Sequence, residues 1–84
     1  MTEAEVIELI DSSLADEFEL DREVMIPEAN IYADLGLDSL DTVDMVIVLE
    51  GAFNFKIREE ESVRAIRTLG DIHHFVLQKI AEQG

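Results

Sequence analysis

Residues 33–50, ADLGLDSLDTVDMVIVLE, decide how this chain folds. The stretch leaves a loop at Gly36, offers Asp38 or Ser39 as a helix cap, and continues from about Leu40 to Ala52 with apolar residues at helical spacing. At about 100° per residue, Thr42, Met45, Val46, Leu49 and Phe53 gather on one side as a core stripe. Leu40, Val43, Asp44, Ile47, Glu50 and Gly51 gather on nearly the opposite side. A helix that is apolar nearly all round is either central in a large protein or presents its spare face to something else. A chain of 84 residues is too small to wrap a central helix completely. The second face therefore reads in one of two ways. It docks a partner, with Leu40, Val43 and Ile47 for contact and Asp41, Asp44 and Glu50 for steering, or the preceding loop folds over it. The small size favours docking.

Upstream, Thr2 and Glu5 form a capping box, and Val6, Leu9, Ile10 and Leu14 follow at helical spacing, so a first helix is expected over residues 3 to about 16. Residues 16–36 keep no sustained period, and Pro27 biases Ile26 towards extended backbone. A long loop is expected there, with a short turn near Ile31 to Asp34, pinned by Phe18, Leu20, Val24, Ile26, Ile31 and Leu35. Downstream, a short helix is expected around residues 59 to 65. A last helix starts near Thr68, with Thr68 or Asp71 as cap and Ile72, Phe75, Val76 and Ile80 on one stripe. With no hairpin signal and no linker, residues 1–84 read as a single all-α domain. Its architecture is a small four-helix bundle with three main helices, a short one, and a long loop between the first and second.

Charge bounds the partners. Residues 1–55 hold 15 acids against Arg22 alone, which accounts for the whole net charge of −14; from residue 56 on, five acids balance five bases. Such a field repels nucleic acid and anionic lipid and steers encounter with basic protein surfaces. No basic leader and no apolar run of membrane-spanning length appears, so no membrane insertion is expected and the cytoplasm is the expected location. The chain has no cysteine, hence no disulfide framework, and a monomer is expected from charge and size.

Ser39 has no base near it in sequence. It projects beside the second face at a helix start, where unsatisfied N–H groups and a partial positive charge favour a phosphate. It is either a phosphate-ester site or, with Asp38, merely a cap. Hydrolytic use with His73 or His74 fails for want of a G-x-S-x-G elbow and a third orienting group. The two histidines adjoin, so they point about 100° apart; one is expected at the core edge and the other in solvent. Neither forms a metal pair, which prefers spacing by three or four. The acids at 34, 38, 41 and 44 lack the alternation, central glycine and final glutamate of a calcium loop. No catalytic residue and no metal site is expected.

ADLGLDSLDTVDMVIVLE resembles the signature of the acyl carrier protein family, through the Asp-Leu-Gly approach, Asp38-Ser39-Leu40 and the continuation Asp41-Thr42-Val43-Asp44. RTLGDI at 67–72 resembles that family's start of the last helix. The resemblance implies a carrier, not an enzyme. A phosphopantetheinyl transferase (holo-carrier synthase) would attach a 4′-phosphopantetheine arm to Ser39, and the arm's thiol would hold acyl groups as thioesters. This supplies the missing base, because the catalytic groups belong to the transferase. Asp38 is implied to engage the transferase. Leu40, Asp41, Val43, Asp44, Ile47 and Glu50 are implied to dock on basic patches of acyl-transferring and fatty-acid or polyketide synthase enzymes. They are also the second face reached from helix angle. Val46, Leu49, Ile57, Ile66 and Phe75 are expected to line an acyl cavity.

Departures accompany the match. Glu50 is followed by Gly51 and Ala52 where fatty-acid carriers usually continue with acids. Gly51 costs about 1 kcal/mol of helix stability relative to alanine, so an early helix end is expected there. Lys56, Arg58, Arg64 and Arg67 make a basic patch, which is expected to pair locally with Glu59 to Glu61 rather than to form a dedicated site. These departures point to a specialised carrier serving a narrower pathway. The alternative that shares the fold is a helical interaction module with Ser39 unmodified.

Overall fold

The computed structural model describes residues 2–54 and 65–83. Three α-helices carry the fold: α1 (Glu3–Phe18), α2 (Ser39–Phe53) and α3 (Leu69–Gln83). The capping box forms as its residues suggest. Thr2 Oγ1 accepts from the Glu5 amide and Glu5 Oε1 accepts from the Thr2 amide. Those bonds, led by the one from the Thr2 backbone, hold the Glu5 carboxyl below its ordinary range. α1 runs two residues beyond the expected end and closes on Glu19 in the left-handed region, φ 54°. At the other end of the chain, Thr68 and Asp71 cap α3 together: the Asp71 amide donates to Thr68 Oγ1, and Asp71 Oδ2 accepts from the Thr68 amide. Both candidate caps act. All of the expected helix at 59–65 except Ala65, together with Lys56, Ile57, Arg58 and Arg64, lies outside the described residues. The short helical element that is described is a single 3-10 turn, Arg22–Val24, inside the long loop.

Two expectations about local structure are corrected. Val24 and Ile26 do not pin the loop; they are 45% and 53% exposed. The 3-10 turn brings Met25 inward instead, and the residues on either side of it face outward. Met25, Ala29 and Leu37 join Ile31 and Leu35 in the core, with Phe18 and Leu20 packed at its edge. Nor does α2 end early at Gly51. It continues to Phe53, with Asn54 as its cap at φ 54°.

The core places the α2 stripe against α1 and α3. Val6, Ile10 and Leu14 from α1 meet Met45 and Leu49 from α2 and Ile72, Phe75 and Val76 from α3. A polar pair crosses this interior. His73 Nε2 lies 2.7 Å from Asp11 Oδ1, both residues buried, and so links α1 to α3. His74 is exposed, as the angle between the two histidines requires.

The loop is stitched by its backbone to the start of α3. Asn30 bridges to Thr68, the Ile31 amide donates to Arg67 O, the Leu69 amide to Ala29 O, and the Gly70 amide to Pro27 O at 2.8 Å. Arg22 adds a fork of two bonds to Glu8 on α1, at 3.1 and 2.7 Å. That pair lowers the pKa of Glu8 and raises that of Arg22. The loop is therefore anchored away from the outer face of α2.

Candidate functional site

The approach to α2 is built from short-range hydrogen bonds. Asn30 Oδ1 accepts from the amides of Tyr32 and Ala33, and Asp34 Oδ2 accepts from the Asn30 amide. Gly36 then takes φ +72°, a left-handed conformation that glycine adopts without a side-chain clash. This turns the chain so that Leu37 enters the core, its amide donating to Ile31 O, while Asp38 and Ser39 emerge into solvent.

Asp38 is the cap. Its Oδ1 accepts from the amides of Leu40 and Asp41, each at 2.9 Å, and Asp41 Oδ2 accepts in return from the Asp38 amide at 3.0 Å. Ser39 is the first helical residue and is exposed. Its hydroxyl has no part in the cap, although its carbonyl accepts from Thr42 Oγ1 at 2.6 Å. The Leu40 and Asp41 amides are taken by Asp38, so an anion at Ser39 would gain from the field of the helix end and not from those donors.

Beside Ser39, Leu40, Val43 and Ile47 are 75%, 57% and 62% exposed. Asp44 is exposed, with Asp41 and Glu50 partly so, around them. The loop does not cover this face, so of its two readings only an uncovered strip matches the described residues. It is an apolar ridge with an acidic rim, its three aliphatics within about 60° of one another, running from the serine down the helix.

On the inner side of α2, a pocket is lined by Thr42, Met45, Val46, Leu49, Ile66, Ile72 and Phe75. Val46, Leu49, Ile66 and Phe75 from the expected cavity set come together there, while Ile57 lies outside the described residues. Thr42, Met45 and Ile72 were absent from that set, although they lie on the same helical stripes. Extending the i, i+3, i+4 pattern in both directions would have found them. The pocket's free volume is about 10 Å³, room for no more than about one water molecule. Among the described residues no cluster of side chains suits a metal ion, and no helix is long and apolar enough to cross a membrane.

The family model for the phosphopantetheine attachment site matches residues 8–76. Curated relatives cover nearly the same span. An acyl carrier protein of Thermosynechococcus vestitus is 35% identical over 96% of this chain and 99% of its own length. One from Syntrophobacter fumaroxidans is 41% identical over 81% of this chain and 83% of its own. Acyl carrier protein 2 of Ralstonia nicotianae is 39% identical over 86% and 88% respectively.

Proposed function

This chain belongs to the phosphopantetheine-attachment family, and from that premise we propose that it carries acyl groups as thioesters on a 4′-phosphopantetheine arm attached to Ser39. The observation that carries the assignment to Ser39 is local. An exposed hydroxyl stands at the first helical position, left out of the cap by Asp38, and lies next to an uncovered apolar strip. The site fits the group: the hydroxyl is open to solvent and the helix end favours a phosphate. When bound, the arm supplies a thiol that forms and releases thioesters.

The chain's own residues bind and present; they do not catalyse. His73 is held against Asp11 between α1 and α3, and the Asp38 and Asp41 carboxylates are engaged in the cap. Presentation is what the cap achieves. By fixing the first turn of α2 it fixes where Ser39 Oγ stands relative to Leu40, Val43 and Ile47. Those aliphatics supply contact area to partner enzymes, and Asp41, Asp44 and Glu50 steer basic surfaces towards them. Partners of this chemistry are the phosphopantetheinyl transferase and the acyl-transferring enzymes of fatty-acid or related lipid and polyketide synthesis, in the cytoplasm. The pocket behind Val46, Leu49, Ile66 and Phe75 receives the acyl chain. Because it holds so little free volume, cargo enters only as α2 and α3 move apart.

The test is intact mass after co-expression with a phosphopantetheinyl transferase. Wild-type chain gains the mass of one phosphopantetheine group and Ser39→Ala gains none. An arm that persists on Ser39→Ala would remove the assignment to Ser39.

A further inference from the structure

Among the described residues the buried polar side chains are Asp11, Thr42 and His73. Thr42 uses its hydroxyl within α2, on Ser39 O. Asp11 and His73 instead join two helices, His73 Nε2 lying 2.7 Å from Asp11 Oδ1 across 62 residues of sequence. Each directly follows a core isoleucine, Ile10 on α1 and Ile72 on α3. Two apolar residues of like shape would serve stability about as well there, so stability alone does not account for the pair. What a polar pair adds is direction. Apolar contact is non-directional, and helices packed by it can shift and keep most of it. A hydrogen bond weakens steeply once bent or stretched, and buried partners pulled apart are left unsatisfied.

The start of α3 is fixed by bonds of the same directional kind. The Ile31, Leu69 and Gly70 amides tie it to the loop through Arg67 O, Ala29 O and Pro27 O, and the Arg22 fork ties the loop to Glu8 of α1. α1, the loop and α3 thus form a closed frame with a directional bond at each joint. α2 is attached differently. Met45 and Leu49 meet the core through apolar side chains, and the bonds that Asp38, Asp41 and Thr42 make stay within the helix and its cap. Its tether is the bond from the Leu37 amide to Ile31 O, just ahead of the Ser39 end. The pocket lies across this divide, with Met45, Val46 and Leu49 on α2 facing Ile72 and Phe75 on α3.

Building on the carrier reading, we propose that the Asp11–His73 pair is a latch that locks α3 to α1, so that an acyl chain enters the pocket by outward movement of α2 alone. α2 pivots near its tether at Leu37, and its Phe53 end travels furthest. Because α2 also bears Ser39 and the uncovered strip, cargo shifts the presented face of the molecule while the frame behind it stays in place.

The chain has no cysteine, so spin labels attach only where one is introduced. Ala4 on α1, Ala52 on α2 and Gln78 on α3 are exposed. Two doubly labelled chains, Ala4→Cys with Gln78→Cys and Ala52→Cys with Gln78→Cys, are prepared before any arm is attached. A phosphopantetheinyl transferase then loads each from acetyl or octanoyl coenzyme A, with loading read by intact mass, and pulsed electron paramagnetic resonance gives the distances. Octanoyl in place of acetyl is expected to lengthen the Ala52–Gln78 distance by up to about 4 Å, the thickness of one hydrocarbon chain in contact. The Ala4–Gln78 distance stays the same. With Asp11→Leu and His73→Leu added, the Ala4–Gln78 distance also changes on octanoyl loading. An Ala4–Gln78 distance that shifts with cargo in the latched chain would overturn the proposal. So would an Ala52–Gln78 distance that does not respond, or a double leucine chain that holds the Ala4–Gln78 distance as wild type does. Should the double leucine chain not fold, the two distances in the latched chain still decide. Absence of any arm by mass, seen before a distance is measured, would instead remove the carrier reading and the latch with it.

Discussion

Asp38 and Ser39 divide the start of α2 between them, the carboxylate serving the helix and the hydroxyl facing outward. Both residue types cap well, so their order alone left the role open. What decides it is Asp41, which reaches back to the Asp38 amide and completes a box only if Asp38 is the cap. Asp38→Ala leaves the Leu40 and Asp41 amides without their acceptor and is expected to cost about 1 kcal/mol of stability. Asp38→Ser should recover most of it; chemical denaturation measures both. The buried pair behaves differently. His73→Ala strands Asp11 in the interior and is expected to cost about 1–3 kcal/mol, whereas replacing both residues by leucine should cost less than the single change. Sequence patterning exposed the divergence of His73 and His74 but not the partner, because Asp11 is 62 residues away and nothing local marks it as buried.

At the scale of elements, periodicity was informative and its absence was not. Each long helix came from a stripe of apolar residues and a capping signal, and each stripe found the core. In the loop there is no period to read. Val24 and Ile26 looked as capable of burial as Met25, and only the 3-10 turn selects among them. The outer face of α2 could be drawn from angle, but whether the loop covered it depended on bonds to the start of α3 that no short-range pattern encodes. Those bonds make a contrast testable in two glycines. At Gly70 an added Cβ would stand 3.0 Å from Pro27 O, so Gly70→Ala pushes away the carbonyl that its own amide uses. It is expected to lower stability by about 1 kcal/mol or more, while Gly51→Ala raises it by up to about 1 kcal/mol. Parallel thermal unfolding of the two variants gives opposite signs.

For the whole molecule the governing quantity is charge, with 20 acids against six bases. Self-repulsion opposes the compact state. Added salt, which shortens the screening length to about 8 Å at physiological strength, is therefore expected to raise the unfolding midpoint steadily from low ionic strength. Acid acts in two directions. Protonation relieves repulsion, but it also removes the carboxylates that cap helices. The amides of Arg67 and then Thr68 hold the Asp71 carboxyl below its ordinary 3.8. Its folded pKa is thus lower than its unfolded one. The stability it contributes is complete above about pH 4 and is lost as pH falls through the lowered value. Glu5 and Glu8, also lowered, follow the same sign. Midpoints measured against pH should fall below about pH 4, and Asp71→Asn should flatten part of that fall while reducing stability at neutral pH.

The proposed carrier function belongs to this scale too, since it rests on a family match that spans residues 8–76. Mass analysis of the chain isolated from its own cells addresses the carrier function directly. The expected result is an arm on Ser39 bearing acyl groups that hydroxylamine releases as thioesters do. Ser39 found unmodified throughout, or an arm that never holds an acyl group, would contradict it.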